Sequence, residues 1–316
     1  MRILISGAAG FLASHLSDLL LGQGHEVVGV DNFLTGKPQN IAHLRGKHPA
    51  YTFIEGDVID PLNFEGPLDR IYHMASPASP LGYGKHQIAT LKVNSQGTWN
   101  LLELAEAKNA RFLMASTSEC YGDPAVHPQR EEYWGNVNPI GLRSMYDEAK
   151  RFGEACTMAY NRERKVDTRI IRIFNTYGPR MDPYDGRVVI SFIRQALNNE
   201  PMTVFGNGMQ TRSLCYVSDL IIGIQLTMEG DFCEPINLGN PDEVPILQIA
   251  RDVLGLVPQS RSQITFHPMP PDDPRLRCPD ITRARQVLGW SPKVPRKEGL
   301  AKMIEFYRDQ LIDRKS

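Results

Sequence analysis

Two short motifs, one near the start of the chain and one near its middle, constrain its fold and chemistry more than any other feature. The first is GAAGFLA at residues 7–13, which follows the apolar run ILIS at residues 3–6. The second is YDEAK at residues 146–150, which begins an amphipathic stretch. A glycine-rich turn between a strand and a helix can hold a dinucleotide pyrophosphate, and a phenol one helical turn from an ammonium group can move a proton. Together the motifs predict redox chemistry on a nicotinamide dinucleotide.

The composition narrows the class of protein. The 316 residues are 41% hydrophobic and 22% charged, which is typical of a globular chain with a substantial core. The formal net charge of -1 gives no electrostatic reason to expect nucleic acid or an anionic membrane as a partner. Five cysteines without a C-x-x-C pair favour neither a disulfide framework nor a metal site. Because the chain has neither a signal-peptide pattern nor an apolar run of about 18 residues, we expect a cytoplasmic protein.

Apolar runs of strand length alternate with helix-period stretches over the first 175 residues. Strands are predicted at residues 2–6, 26–30, 51–54, 70–73, 111–115 and 168–173. Helices are predicted at residues 11–23, 90–108 and 146–164. This alternation is typical of βαβ units and predicts an α/β fold with a doubly wound, mostly parallel Rossmann sheet. Ligands of such a sheet bind beyond the carboxyl ends of its strands.

The pattern changes after Tyr177, where the predicted elements become shorter and are interrupted by proline and glycine. We therefore predict a NAD-binding Rossmann domain over residues 1–175 and a smaller lobe, mainly for substrate, over residues 176–316. The boundary is not expected to be sharp. The apolar run at residues 235–238 is expected to form a further strand that rejoins the main sheet.

The residues around the glycine motif predict how a nucleotide is held. Gly7 permits the tight turn, Gly10 lets the backbone approach a phosphate, and the helix from Phe11 points its N–H groups at the anion. Asp31 ends the next strand-like run, where an acid accepts a ribose hydroxyl and repels a 2′-phosphate, so NAD is favoured over NADP. The alternative is a tight turn with a purely structural role. The predicted cofactor-binding residues are Gly7, Gly10, Phe11, Leu12, Asp31, Asn32, Phe33, Thr35, Gly36, Asp57, Val58, Met74, Ala75, Thr117, Tyr146, Lys150 and Thr176.

The second motif places Tyr146 and Lys150 on one face of a helix. A phenol with a pKa near 10 is a poor base at neutral pH, but nearby positive charge favours the phenolate. Chance alone supplies many Tyr-x-x-x-Lys pairs. Here, however, Tyr146 is the only one of eleven tyrosines followed by a lysine four residues later. A hydroxyl from Thr117, after the fifth predicted strand, could complete a Thr–Tyr–Lys set.

Longer strings carry a more specific resemblance. They are ASPASP at 75–80, STSECYG at 116–122, EYWGNVNP at 132–139, RIFNTYGPRM at 172–181, DGRVV at 185–189 and QTR at 210–212. On these strings the chain resembles the extended short-chain dehydrogenase/reductase superfamily and, within it, the UDP-glucuronate decarboxylase (UDP-xylose synthase) family. The resemblance runs almost from end to end of the chain.

The resemblance implies an enzyme that oxidises carbon 4 of UDP-glucuronate with NAD, releases carbon dioxide and reduces the ketone again to give UDP-xylose. It implies the catalytic residues Thr117, Ser118, Glu119, Tyr146, Lys150 and Arg277. The substrate-binding residues that it implies are Lys92, Asn175, Arg187, Val204, Phe205, Arg212 and Arg277. It also implies a homodimer formed through the helices predicted at residues 90–108 and 146–164.

Two departures from the family pattern bear on this reading. Cys278 follows Arg277 where a lysine is common, and residues 81–87 differ most from the family. The two glycines in residues 81–87 predict a flexible loop that could release some UDP-4-keto-pentose before the last reduction. The alternatives are a UDP-glucuronate 4-epimerase and a non-catalytic NAD-binding regulator. A sugar 4,6-dehydratase is less favoured, because Ser118 stands where that family has an acid.

Overall fold

The computed structural model describes residues 1–269 and 276–312. In these residues the strands, in chain order, are β1 (Arg2–Ser6), β2 (Glu26–Asp31), β3 (Tyr51–Glu55), β4 (Arg70–His73), β5 (Arg111–Thr117), β6 (Thr168–Ile173), β7 (Thr176–Tyr177), β8 (Met202–Phe205), β9 (Thr211–Ser213), β10 (Cys215–Tyr216), β11 (Ile236–Leu238), β12 (Glu243–Pro245) and β13 (Ile264–His267).

The α-helices of the same residues are α1 (Phe11–Gly22), α2 (Pro80–Lys85), α3 (Gln87–Lys108), α4 (Ser144–Arg164), α5 (Val188–Asn198), α6 (Val217–Glu229), α7 (Ile246–Leu256), α8 (Thr282–Leu288) and α9 (Arg296–Ile312). Two short 3-10 helices lie at Pro38–Ile41 and Ser118–Tyr121. No helix in the described ranges is both long enough and apolar enough to cross a membrane.

Seven strands form the central sheet, in the spatial order β11-β6-β5-β4-β1-β2-β3, and every neighbouring pair is parallel. The predicted doubly wound α/β fold is therefore confirmed. From β1 the chain proceeds to β2 and β3 on one side and then crosses to β4 on the other side. The order thus reverses between β1 and β4, and ligands bind in the crevice at such a reversal.

Strands in a parallel sheet are buried on both faces, so each appears in the sequence as a continuous apolar run. Their bounds can therefore be predicted from those runs. β1, β4 and β6 have the predicted bounds. β5 continues two residues beyond its predicted end, because Ser116 and Thr117 still pair with β6. This extension keeps Thr117 on a rigid strand at the edge of the crevice.

The segment that was expected to be a flexible loop, residues 81–87, forms α2 up to Lys85 and enters α3 at Gln87, with a bend at His86 between them. Ser79 caps α2 by accepting the N–H of Gly82 at 3.1 Å, and Pro80 occupies the first turn. A side-chain cap and an N-terminal proline are strong helix-start signals that outweigh the two glycines. Tyr83 of α2 is buried against Tyr146. The loop prediction was wrong, and the argument from it to release of a keto-pentose loses its structural basis.

The second half of the chain adds short strand pairs and helices around one end of the sheet. β7 pairs with β10, β8 with β13 and β9 with β12, while β11 returns to the main sheet beside β6. One apolar core runs from Ile3 in β1 to Tyr307 in α9. The two halves therefore share their core, and the division at residue 175 stays a prediction.

Candidate active site

The turn between β1 and α1 requires glycine for reasons of space. Gly7 has a φ of +71°, which L side chains rarely adopt, and a Cβ on it would lie 2.7 Å from the Cα of Ala75. A Cβ on Gly10 would lie 2.9 Å from the carbonyl oxygen of Gly7. Among the described residues, no side chain caps α1, so its first N–H groups are available to an anion.

A cavity that is open to solvent lies at the carboxyl ends of β1, β2 and β4. It is lined by ten of the predicted cofactor-binding residues, namely Gly7, Gly10, Asp31, Asn32, Thr35, Gly36, Asp57, Val58, Met74 and Ala75. The sequence reasoning missed seven further lining residues, namely Val30, Leu34, Gly56, Ser76, Pro77, Ala89 and Val93. Of these, Ser76 and Pro77 lie in the ASPASP string.

Other residues predicted to bind the cofactor are turned elsewhere in this structure. The ring of Phe33 packs on Phe53 at 5.3 Å between centroids, while its N–H donates to Asp31. The ring of Phe11 lies 5.9 Å below the guanidinium of Arg187. Leu12 packs against the apolar core, and the Thr176 hydroxyl donates to the carbonyl of Phe174. A direct role of these side chains with a nucleotide stays a prediction.

Asp31 is built into the pocket as an acceptor. Its carboxylate accepts the N–H of Ala9 at 2.9 Å and that of Phe33 at 2.7 Å. Burial raises the pKa of Asp31, although these backbone hydrogen bonds oppose the shift. A second acid, Asp57, accepts the Asn32 side-chain amide at 2.7 Å. Two carboxylates at one end of the pocket favour ribose hydroxyls over a further phosphate.

The structure brings the three residues of the predicted Thr–Tyr–Lys set together at the carboxyl end of β5. Tyr146 and Lys150 occupy successive turns of α4, and all three residues are buried. Burial raises the pKa of Tyr146, and a hydrogen bond with the Thr117 hydroxyl opposes that shift. The Lys150 ammonium nitrogen lies 5.9 Å from the ring centroid of Tyr146. The phenol therefore has both a hydrogen-bond partner and a cation within reach.

Lys150 lies in a nearly dry environment. Its Nζ donates to the carbonyl oxygen of Ala115 at 2.8 Å, and burial lowers its pKa to about 7, against the opposing charge of Glu154. His73 is also fully buried, and burial together with the positive charge of Lys150 lowers its pKa to about 3. His73 is thus neutral and contacts the hydroxyls of Ser6 and Thr98. Lys150 can therefore change its protonation state near neutral pH, whereas His73 adds no charge.

Glu119 is the fixed negative charge of the site. Its Oε2 accepts Arg143 at 2.6 Å and Arg277 at 3.1 Å. Burial raises the pKa of Glu119, but Arg277, Arg143 and Arg212 more than compensate, so the pKa is lowered overall. Arg277 is itself fully buried and also donates to the carbonyl of Ser118 at 2.9 Å. Four of the predicted residues, Ser118, Glu119, Arg212 and Arg277, are therefore close together.

Sequence reasoning missed three residues beside this cluster, namely Tyr83, Arg143 and Asp147. Tyr83 stacks on Tyr146 with a centroid distance of 4.9 Å and an interplanar angle of 11°. Within the described chain, the Tyr83 hydroxyl and Oδ1 of Asp147 are buried without a hydrogen-bond partner. Burial and the negative charge of Glu119 raise the pKa of Asp147 to about 7. Arg143 and Asp147 lie close to Tyr146 in the sequence. That proximity was the one sequence signal that could have identified them as site residues.

The predicted substrate-binding residues are more widely spread. Arg187 directly precedes α5 and pairs with Asp185 at 2.5 Å. Asn175 is half-buried, and its carbonyl accepts the N–H of Cys215. Phe205 is exposed at the end of β8, whereas the Val204 side chain is fully buried in the core, so Val204 can meet a ligand only through its backbone. Lys92 lies exposed on α3, next to a residue that lines the cavity.

The cavity fits a dinucleotide. A Cβ on Gly7 or Gly10 would fill the turn between β1 and α1. The first turn of α1 offers N–H groups for a pyrophosphate, and Asp31 offers acceptors for a ribose. The Thr–Tyr–Lys set and the Glu119 cluster then provide proton transfer and a charged site for a polar substrate.

Comparisons with known proteins agree with this arrangement. The model of the NAD dependent epimerase/dehydratase family matches residues 3–239. UDP-glucuronic acid decarboxylase 1 of Xenopus tropicalis is 53% identical over 98% of this chain and 73% of its own length. UDP-glucuronic acid decarboxylase 5 of Arabidopsis thaliana is 52% identical over 98% of this chain and 90% of its own length. A UDP-glucuronic acid 4-epimerase structure from Bacillus cereus, with UDP-glucuronic acid and NAD, has a TM-score of 0.86 and 30% identity over 98% of this chain and 100% of that chain.

The lowered pKa of Lys150 predicts a pH-dependent stability of the ligand-free protein. An unfolded lysine titrates near pH 10.4 and the folded Lys150 near 7. Between these values the unfolded chain holds a proton that the folded chain has lost, so this group makes the free energy of unfolding rise with pH. The slope from this group alone is about 1.4 kcal/mol per pH unit.

Lys150→Met should abolish that part of the slope, measured by urea unfolding at several values between pH 7 and 9.5. Lys47→Met, at an exposed lysine, is the matched control and should behave as the wild type. An unchanged slope in Lys150→Met would show that the folded lysine keeps its charge.

Proposed function

This chain belongs to the NAD dependent epimerase/dehydratase family, and on that premise we propose that it is a UDP-glucuronate decarboxylase that forms UDP-xylose with NAD as a retained cofactor. The observation that carries the proposal is the similarity to decarboxylases over nearly the whole chain, at about half of all positions. The pair of Glu119 and the buried Arg277 beside Tyr146 supports it, because it provides a charged site next to the proton-transfer residues. The reaction makes the protein a lyase.

NAD, held by the glycine turn and Asp31, supplies the hydride acceptor, the returning hydride donor and a positively charged ring. Tyr146 takes the proton of the carbon 4 hydroxyl as that carbon is oxidised, and Thr117 orients the phenol through its hydrogen bond. Because burial disfavours the phenolate, Tyr146 needs positive charge, and Lys150 lies in the next turn to provide it.

Oxidation leaves a ketone at carbon 4, β to the sugar carboxylate. The bond from carbon 5 to the carboxylate then breaks, its electron pair passes to the ketone as an enolate, and carbon dioxide leaves. Carbon 5 takes up a proton that comes from solvent, the carbon 4 ketone accepts the returning hydride, and Tyr146 returns its proton to the new hydroxyl. Ser118, Glu119 and Arg277 hold the sugar in place during these steps, because Arg277 fixes both neighbours.

The diphosphate is assigned to Arg187, Arg212, Asn175 and Lys92, since arginine side chains bind phosphate oxygens in pairs. Arg187 also contributes positive charge near Tyr146. The uracil ring is assigned to the exposed Phe205 and the backbone of its neighbour Val204. These assignments follow the family resemblance. Arg187, Val204, Phe205 and Arg212 lie in the second half of the chain, whereas Asn175 follows β6 and Lys92 lies on α3.

A UDP-glucuronate 4-epimerase is the second candidate, because such an enzyme shares the fold and nearly the full length of the chain. It performs the same oxidation but keeps the carboxylate and turns the ketone over. Purified protein incubated with UDP-glucuronate decides between the two. We expect a product lighter by about 44 mass units, the loss of one carboxylate as carbon dioxide. UDP-galacturonate without a loss of mass would establish the epimerase instead.

Tyr146→Phe tests the proton-transfer role. Turnover should fall by at least about 10²-fold, since general-base catalysis contributes that much, while NAD and UDP binding are retained. Tyr83→Phe is the matched control for the stacked ring pair and should leave far more activity. Decarboxylation at near wild-type rate in folded Tyr146→Phe would remove this tyrosine from the mechanism.

Asp31 should set the preference for NAD over NADP. Asp31→Asn keeps an acceptor for the backbone of Ala9 or Phe33 but removes the charge that repels a 2′-phosphate. The ratio of NAD to NADP affinity, measured by calorimetry, should narrow by about tenfold, equivalent to about 1.4 kcal/mol. Asp60→Asn, at an exposed acid nearby, is the control. Equal affinity of the wild type for the two dinucleotides would contradict the assignment.

We also propose a homodimer formed through α3 and α4. The two helices pack side by side, and their outer faces expose Ile88, Leu91 and Trp99 on α3 and Phe152 on α4. Positions 88, 91, 95 and 99 share one helical face, so the three α3 side chains form a stripe. Such a stripe, paired with its copy across a two-fold axis, makes a four-helix bundle.

Leu91→Arg should convert the dimer to a monomer, because it places a charge within that stripe. Phe266→Arg, at an exposed side chain on β13, is the matched control and should leave the dimer intact. Light scattering after size exclusion at micromolar concentration measures the mass of both. A wild type that is monomeric under these conditions counts against the interface.

A cytoplasmic location is consistent with the state of the cysteines. All five are free, and four of them are buried. Disulfides are rare in reducing compartments, so a chain with unpaired cysteines suits the cytoplasm. Fractionation of cells that express the protein tests the location.

A further inference from the structure

Three side chains of the types that bind metal ions lie together next to Arg277. His127, Glu243 and Cys278 come from three separate parts of the chain, yet their ligand atoms all lie within 4.8 Å of one another. Among the described residues this is the one group of three histidine, cysteine or acidic side chains close enough to share an ion. None of the three has a role in the proposed reaction.

Two of the three side chains are already in contact with each other. Nε2 of His127 lies 3.0 Å from Oε2 of Glu243, and the other carboxylate oxygen accepts the Thr211 hydroxyl. The N–H of Cys278 donates to Oε1 of Gln129 at 2.9 Å, which fixes the backbone that carries the thiol. Preorganisation of this kind lowers the cost of gathering ligands around a metal ion.

We propose that His127, Glu243 and Cys278 form a binding site for a single Zn²⁺ ion, with water as the fourth ligand. Imidazole, carboxylate and thiolate are the ligand types that zinc prefers, and the presence of a thiolate disfavours Mg²⁺ and Ca²⁺. Cys278 is buried, whereas His127 is about one-third exposed, so one side of the cluster is open to entering ions and water.

Binding of the zinc ion releases one proton. The thiol of Cys278 loses its proton to solvent as the sulfur–zinc bond forms. The imidazole of His127 binds as the neutral tautomer with its proton on Nδ1, and the Glu243 carboxylate binds as the anion. The ion therefore meets two negative ligands, and no oxidant or reductant takes part.

The position of the site links it to Arg277. Cys278 directly follows Arg277, and Gln129 donates its N–H to the carbonyl of Cys278 at 2.9 Å. Glu243 lies opposite Ser213 in the β9–β12 pair, and the Ser213 hydroxyl donates to the carbonyl of Arg277 at 3.1 Å. A bound ion would join these segments and hold the backbone of Arg277 in its place against Ser118 and Glu119. Zinc would thus act as a positioning element and not as a catalytic metal.

The test begins with the full-length protein after treatment with a chelator, titrated with Zn²⁺ by calorimetry and with metal content measured after dialysis. We expect one ion per chain in the wild type. Cys278→Ser and His127→Gln should bind at least about 10²-fold more weakly, since even loss of an outer partner of a zinc ligand costs 10- to 100-fold. Cys233→Ser, at a partly exposed free cysteine outside the cluster, should bind as the wild type.

Cobalt provides a readout that does not depend on any variant folding. Co²⁺ added to the wild type should give the intense visible bands of a tetrahedral ion and a thiolate charge-transfer band in the near ultraviolet. Absence of the thiolate band, or equal zinc affinity in Cys278→Ser and the wild type, would overturn the proposal. Because these measurements do not involve UDP-glucuronate, their outcome is independent of the proposed reaction.

Discussion

The carboxylate of Glu119, whose side chain is 17% exposed, is the constraint on which the active site depends. A charge largely removed from water is tolerated when it is paired and hydrogen-bonded, and removal of one partner is costly. Glu119 meets Arg143 from the start of α4 and Arg277 from the second lobe. Its pairing therefore joins β5, α4 and the C-terminal part of the chain at one point, and that point is next to Tyr146.

Burial also shifts the pKa values of the groups around Tyr146. Burial keeps His73 neutral and lowers the pKa of Lys150 to about 7, while the pKa of Asp147 rises to about 7. Groups with shifted pKa values change protonation state easily when a charged ligand enters. Tyr146 lies among them, so its ability to take a proton depends on the charges that cofactor and substrate bring with them.

The zinc proposal follows the same logic of long-range pairing. The sequence gives no sign of this site, because its three ligands are His127, Glu243 and Cys278. They are too far apart in the chain to form a short metal-binding motif such as C-x-x-C. They meet because Gln129, two residues after His127, pairs with residues 278–280, and because β12 pairs with β9. Cys278, which stands where the family commonly has a lysine, becomes a candidate metal ligand only because these contacts bring it close to His127 and Glu243.

The sequence by itself determined the parallel sheet, the glycine turn, most bounds of the first six strands, and the proximity of Tyr146 to Lys150. These depend on apolar runs, on φ at one glycine and on the helical repeat, all of which are local properties. Tertiary structure alone decided that Tyr83 of α2 stacks on Tyr146, that Phe33 turns from the cavity, and that Arg277 pairs with Glu119. Such contacts join residues far apart in the chain or compete with local preference, so their outcome depends on how whole elements pack and how buried charges find partners.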